Sequence, residues 1–330
     1  MTRPIALLSL LFIAGHFQAQ AQGCSDAGVC SAGPIGQLHL WQDNTPDVVD
    51  YRHFARLGYS YAIGEQGTTI TQVLPEVSIR IGPRLSVQAK VPFIWASGDL
   101  GENSGIGDMI TTASYAFIKE EDRNFTGVLG LRLPTGKSAP TRIVQATFGP
   151  NSRPLPMPYQ TGLGTSDLLM GLQYRHGPWS VALAYQHVMR QDNQNTFLHT
   201  SWMDVPDALG YFESFALERA DDAVVRVQYA YGCGKLSLQP GLLAIQHMGK
   251  DSRMERFGEP IDLQGHYMLE RRDIDGSDGL TLNLTADLRY KLSEQWAIEA
   301  MLATPVVTRE VRPDGLTRSL VTGFGLRYRF

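Results

Sequence analysis

The segment that closes the chain constrains its fold most. Thr322, Phe324, Leu326, Tyr328 and Phe330 fall on one face of an extended segment, and Phe330 is the last residue. Alternate residues of a strand point to opposite faces. The same pattern is clearest over 280–292. There Leu280, Leu282, Leu284, Ala286, Leu288, Tyr290 and Leu292 take one side, and Thr281, Asn283, Thr285, Asp287, Arg289 and Lys291 the other. In a water-soluble sandwich the apolar side would face a core. In a membrane-spanning barrel the pattern is inverted, with apolar residues towards lipid. An aromatic final residue after an alternating strand is the signal read by the barrel-insertion machinery. The ending therefore predicts an inverted barrel, with Phe324, Leu326, Tyr328 and Phe330 as its insertion signal.

The other end agrees. Arg3 precedes a short apolar run over 5–13, and Ala19-Gln20-Ala21 offers the small residues a signal peptidase reads. The run is too short to span a bilayer as a helix, which needs about 20 residues. We expect a signal peptide over 1–21, a periplasmic segment and possible plug over 22–50, and a barrel over 51–330. Export permits disulfides. Cys24 and Cys30 could close a small loop. Cys233, in a turn, either stays free or links to the N-terminal segment. Connectivity is not fixed by spacing.

Alternation repeats along 85–95, 129–133, 168–174, 179–186 and 225–231. It is weaker over 54–63, 70–81, 107–118, 236–247 and 296–308. With the last segment this gives about twelve strands, an even number as bacterial barrels require. The connections alternate in length: short near 82–84, 120–124, 177–178, 232–235 and 293–295, long near 64–69, 97–106, 135–164, 191–221, 249–278 and 309–318. The expected fold is all-β: one transmembrane antiparallel up-and-down barrel with short periplasmic turns, long extracellular loops and both termini periplasmic. Trp95, Tyr174, Trp179, Tyr185, Tyr229, Tyr290, Trp296 and Tyr328 near strand ends fit an interfacial girdle.

Three motifs carry a resemblance. Gly105-Ile106-Gly107-Asp108 opens a strand, Leu133-Pro134-Thr135-Gly136 closes one, and 161–167 (Thr-Gly-Leu-Gly-Thr-Ser-Asp) opens the next. They are similar to the outer-membrane family named for the meta-pathway of phenol degradation, which is transporter-like and largely uncharacterised. The 24–30 and 155–160 stretches resemble a subgroup common in Bacteroidetes. The likeness is strongest over 85–190. It implies a barrel of this class, with neither a substrate nor catalytic residues to carry over.

The polar faces should line the lumen. They carry Arg56, Arg80, Lys90, Arg132, Arg175, Arg190, Arg226, Arg289, Arg327 and Arg329 against Glu76, Asp108, Asp167, Asp287 and Glu299. Basic residues outnumber acidic ones. This admits either a salt-bridged wall or a narrow passive path for a small polar, anionic or aromatic solute. Asp108 and Asp167 follow glycines and could cap loops. A non-conducting, structural or surface-binding barrel is the alternative. A lipid hydrolase using His187 with Ser201 or Ser214 is a weaker one, because no motif supplies an activated nucleophile. The expected partners are outer-membrane lipid and lipopolysaccharide, the barrel-assembly machinery and an unknown small solute. The net charge of −4 gives no reason to expect nucleic acid. No spacing points to a metal or cofactor site.

Overall fold

The computed structural model describes residues 53–146, 149–258, 267–313 and 321–330. The expected signal peptide, the 22–50 segment, Cys24 and Cys30 lie outside them.

Alternation over each segment becomes strand. The order is β1 (His53–Ile63), β2 (Thr69–Arg80), β3 (Leu85–Lys90), β4 (Phe93–Gly98), β5 (Gly101–Ile106), β6 (Met109–Lys119), β7 (Arg123–Leu133), β8 (Thr141–Ala146), β9 (Gly149–Pro154) and β10 (Thr165–His176). There follow β11 (Trp179–Gln191), β12 (Asp222–Tyr229), β13 (Tyr231–Cys233), β14 (Leu236–His247), β15 (Ser252–Phe257), β16 (Met268–Asp273), β17 (Gly279–Lys291), β18 (Trp296–Val307) and β19 (Val321–Arg329). Twelve of these close the wall: β1, β2, β3, β6, β7, β10, β11, β12, β14, β17, β18 and β19, each antiparallel to its neighbours. Closure leaves no edge of unpaired backbone, which a lipid environment demands. The ends of the chain meet there: His53 and Phe330 exchange both backbone hydrogen bonds at 3.0 Å.

The barrel is inside-out. Leu57, Val77, Val87, Tyr115, Leu129, Leu172, Leu183, Val225, Leu242, Leu284, Ile298 and Leu326, one from every wall strand, are exposed on the outer face. Their inward neighbours are buried and mostly polar. No burial of apolar core explains this; the outer face is solvated by lipid tails. Aromatic pairs sit near strand ends, with Trp296 and Tyr328 rings 4.7 Å apart, Trp179 and Tyr229 5.0 Å, and Phe93 and Trp95 4.5 Å. Phe324, Leu326 and Phe330 of the last strand are exposed on this outer side.

The long connections hold more structure than their composition predicts. β4 and β5 form a hairpin that extends the wall past β3 and β6. β8–β9 and β15–β16 are further hairpins within the 135–164 and 249–278 loops. The 135–164 and 191–221 loops share a core rather than waving free. Leu155, Tyr159, Phe197, Trp202, Ala208 and Tyr211 pack together with Ile70 and Leu100. The Trp202 indole donates to Pro154 O at 2.7 Å, and the Asn195 amide to Leu155 O at 2.9 Å. The result is a packed cap at the long-loop end.

Candidate functional site: the inner wall and its cap

Inward residues form cross-strand rows, because directly paired residues share a face. One row takes a residue from each of β19, β1, β2, β3, β6, β7 and β10: Arg327, Arg56, Glu76, Lys90, Ile110, Arg132 and Asp167. It runs from the short-turn end to the long-loop end.

Charge on this wall is paired by geometry. Glu299 accepts from Arg289 Nη2 at 2.6 Å and lies 2.7 Å from Arg56 Nε and 2.8 Å from Arg327 Nε. Glu76 lies between Arg56 at 3.7 Å and Lys90 at 3.6 Å, and also accepts from the Gln88 amide. Two inward glycines make room for this. A Cβ on Gly58 would come within 2.9 Å of Arg56 Nη1, and one on Gly325 within 2.8 Å of Nη2. The guanidinium therefore lies across bare backbone. Arg226 Nη2 meets Asp287 at 2.7 Å, and Gln228 donates to the same oxygen at 2.8 Å. Arg132 pairs with Asp167, which also accepts from Gln186 at 2.8 Å. Buried charges persist only with such partners. At the long-loop rim His247 bridges Asp222 at 2.7 Å and Asp251 at 2.8 Å.

The other part of the inner wall is apolar. Val128, Leu169, Ala182, Ala184, Val224, Leu243 and Ile245 are buried and contiguous across β7, β10, β11, β12 and β14, with Ile110 packed beside them. The paired positions Gly171–Ala184, Ala184–Val224 and Val224–Ile245 put them on one face with the buried Arg226 and Gln173 rows. Sequence reading missed this patch. Its signal was present in the letters: Leu169, Ala182 and Ala184 alternate with lipid-facing residues and therefore must face inward.

Of the residues expected in the lumen, Arg56, Glu76, Lys90, Arg132, Asp167, Arg226, Asp287, Arg289, Glu299 and Arg327 belong to the networks above. Arg80, Arg175 and Arg329 are half-buried near the short-turn end. Arg190 is corrected: its side chain is 72% exposed and pairs with Asp192 at 3.3 Å. The cause is a bulge. Ser166 pairs with Arg190 but Asp167 with Val188, so Met189 is the extra residue and alternation slips.

Asp108 has a different task from lining the lumen. It sits between β5 and β6, where the wall strand breaks. Its Oδ1 accepts the Gly136 N–H at 3.1 Å and its Oδ2 the Leu163 N–H at 2.8 Å. The Thr135 hydroxyl donates to Gly107 O at 2.7 Å, and Lys137 N–H donates to Thr161 Oγ1 at 2.9 Å. Gly136 packs on Gly162 so closely that a Cβ would come within 2.6 Å of Gly162 Cα. Three motifs far apart in sequence thus meet at one clasp below the cap.

The hydrolase residues are not assembled. His187 faces outward, its Nδ1 2.9 Å from Asp221 Oδ2, an oxygen that also accepts the Tyr185 hydroxyl. Ser214 is buried in the cap and donates to Asn195 Oδ1 at 3.2 Å.

With this geometry in hand, likeness to solved structures is informative about architecture. The chain resembles an outer membrane channel from Pseudomonas putida F1. The two are 15% identical, aligned over 88% of this chain and all of that one, with a TM-score of 0.53. The Ralstonia pickettii toluene transporter TbuX aligns over 86% of this chain and 91% of its own, at 11% identity and a TM-score of 0.44. The translocator domain of the autotransporter NalP from Neisseria meningitidis aligns over 84% and 88%, at 11% identity and a TM-score of 0.45. No protein-family model and no curated protein matches the sequence. The first likeness establishes the outer-membrane barrel fold, and a fold leaves the cargo open.

Proposed function

We propose that this chain is a passive outer-membrane channel or transporter for a small solute of mixed polar and apolar character. The observation that carries the reading is the mixed inner wall: an apolar patch on β7 to β14 shares the interior with ion pairs that cluster on β17 to β3 and also include Arg132–Asp167 and Arg226–Asp287. A wall meant only to be filled with apolar packing has no use for the second, and a wide aqueous pore has no use for the first. Mutual pairing of the charges favours a weak charge preference over strong anion selection.

In this reading the short turns and both termini face the periplasm, and the loop cap faces outward. The aromatic outward face of β19 engages the assembly machinery, and the apolar belt meets lipid and lipopolysaccharide. We also place the chain in the transporter-like family named for the meta-pathway of phenol degradation. What supports this is that its quoted motifs converge on Asp108, so they act as one structural unit.

The test is single-channel recording of the refolded protein in a planar bilayer, in chloride salts of differing cation size. Discrete openings with at most a modest anion preference are expected. A folded, heat-modifiable barrel that never conducts and passes no solute into proteoliposomes sinks the reading, in favour of a structural or surface-binding wall.

A further inference from the structure

Asn283 lies on the inward face of β17 and is 1% exposed. Neither its carbonyl oxygen nor its amide nitrogen has a hydrogen-bond partner among the described residues. The hydroxyl of Thr285, two residues on along the same face, is buried and equally unpartnered. A buried amide with both ends unsatisfied is rare, since its desolvation is not repaid. Its surroundings narrow what could satisfy it. Leu243 is paired directly opposite on β14 and Pro305 on β18. The neighbouring row continues through Thr281, Ile245, Val224 and Ala184. Arg226, the register partner of Leu243 on β12, is neutralised by Asp287 at 2.7 Å. The position therefore offers an amide NH2, a carbonyl acceptor, a spare hydroxyl and an apolar wall, beside an ion pair that is already balanced.

We propose that Asn283, with Thr285 beside it, is a binding position inside the barrel for a neutral, compact solute that carries a planar amide edge (a carboxamide or a lactam). Such an edge presents N–H and C=O side by side. It complements Oδ1 and Nδ2 of Asn283 in the bidentate manner by which asparagine side chains read base edges. The apolar body of the solute lies against Leu243 and Ile245. An ester of the same shape lacks the donor. A carboxylate lacks it too and adds a charge that nothing at the position balances. The proposal rests on the small-solute reading above and names its cargo.

The experiment is equilibrium dialysis of the full refolded protein against benzamide, methyl benzoate and benzoate, paired with flux of benzamide into proteoliposomes. Benzamide should bind at least about tenfold more tightly than methyl benzoate. Asn283→Leu, nearly isosteric, should remove that preference. Thr285→Val, a milder change that guards against misfolding of the first variant, should weaken benzamide by about two- to tenfold. Heat-modifiable migration checks that each variant is folded. Equal binding of benzamide and methyl benzoate to the wild type overturns the proposal, as does a preference that survives Asn283→Leu. Flux without amide preference overturns the site and leaves the channel. Amide preference without flux supports the site and overturns the channel.

Discussion

Asp108 Oδ1 accepts the backbone N–H of Gly136 at 3.1 Å, and its second oxygen reaches across to Leu163 at 2.8 Å. One carboxylate thus holds the ends of two connections against a break in the wall. Hydrogen bonds to a charged acceptor contribute about 1.5–3 kcal/mol each. Asp108→Ala should lower stability by about 2–4 kcal/mol in urea titration of the vesicle-inserted protein, and Asp108→Asn by roughly half as much. An Asp108→Ala barrel as stable as the wild type would show that the clasp is idle.

Glu299 compensates Arg56, Arg289 and Arg327 at once. Removing it leaves three guanidinium groups facing one another in a buried setting. Glu299→Ala should cost about 3–5 kcal/mol, the range for breaking a buried pair from one side. Any barrel that still folds should shift its reversal potential towards anions. An unchanged potential in asymmetric potassium chloride would remove this cluster from the conduction path.

The outer face responds to different physics. Leu284 is exposed to lipid between two inward residues, Asn283 and Thr285. Leu284→Arg should destabilise folding into vesicles by about 2–4 kcal/mol if it lies near the bilayer midplane. Leu284→Ala serves as the control for lost apolar contact alone. Equal, small effects from both would mean that this face does not meet hydrocarbon.

Tyr211 ties the cap to the wall: its hydroxyl lies 3.0 Å from Thr68 Oγ1 and 3.1 Å from the Tyr159 hydroxyl. Burial pushes the Tyr211 hydroxyl well above the ordinary tyrosine range. Because the shift is upward, its contribution is complete below the unfolded value of about 10 and is lost only as pH rises through the folded one. The cap should therefore stay closed in mild alkali. Tyr211→Phe should loosen it by about 1 kcal/mol, seen as faster protease cleavage within 191–221. Cleavage that accelerates already between pH 7 and 9 in the wild type would contradict the assignment.

The wall was legible in the sequence because lipid imposes a strict period of two on every crossing. The 280–292 segment shows it, and β17 occupies nearly that span. The cap hairpins β8–β9 and β15–β16 were not legible, because strands away from lipid carry no such inscription. The interior was half legible. Polar letters marked the charged sector, but the rule of polar inside hid Leu169 and Leu243. The Arg56 partner of Glu299 could not be read: it is 243 residues away, and only closure of the barrel brings the two together. Arg190 failed for a local reason, the extra residue at Met189.

The row from Arg327 to Asp167 winds around the interior like the thread of a screw, one residue per strand. A thread depends on counting. Deleting one residue anywhere along β1, β2, β3, β6, β7 or β10 would rotate part of that strand by half a turn, putting charge into lipid and leucine into the bore. Insertions in the cap carry no such penalty. Descendants of this chain are thus free to vary their cap loops in length, while their wall strands can change letters but not tally.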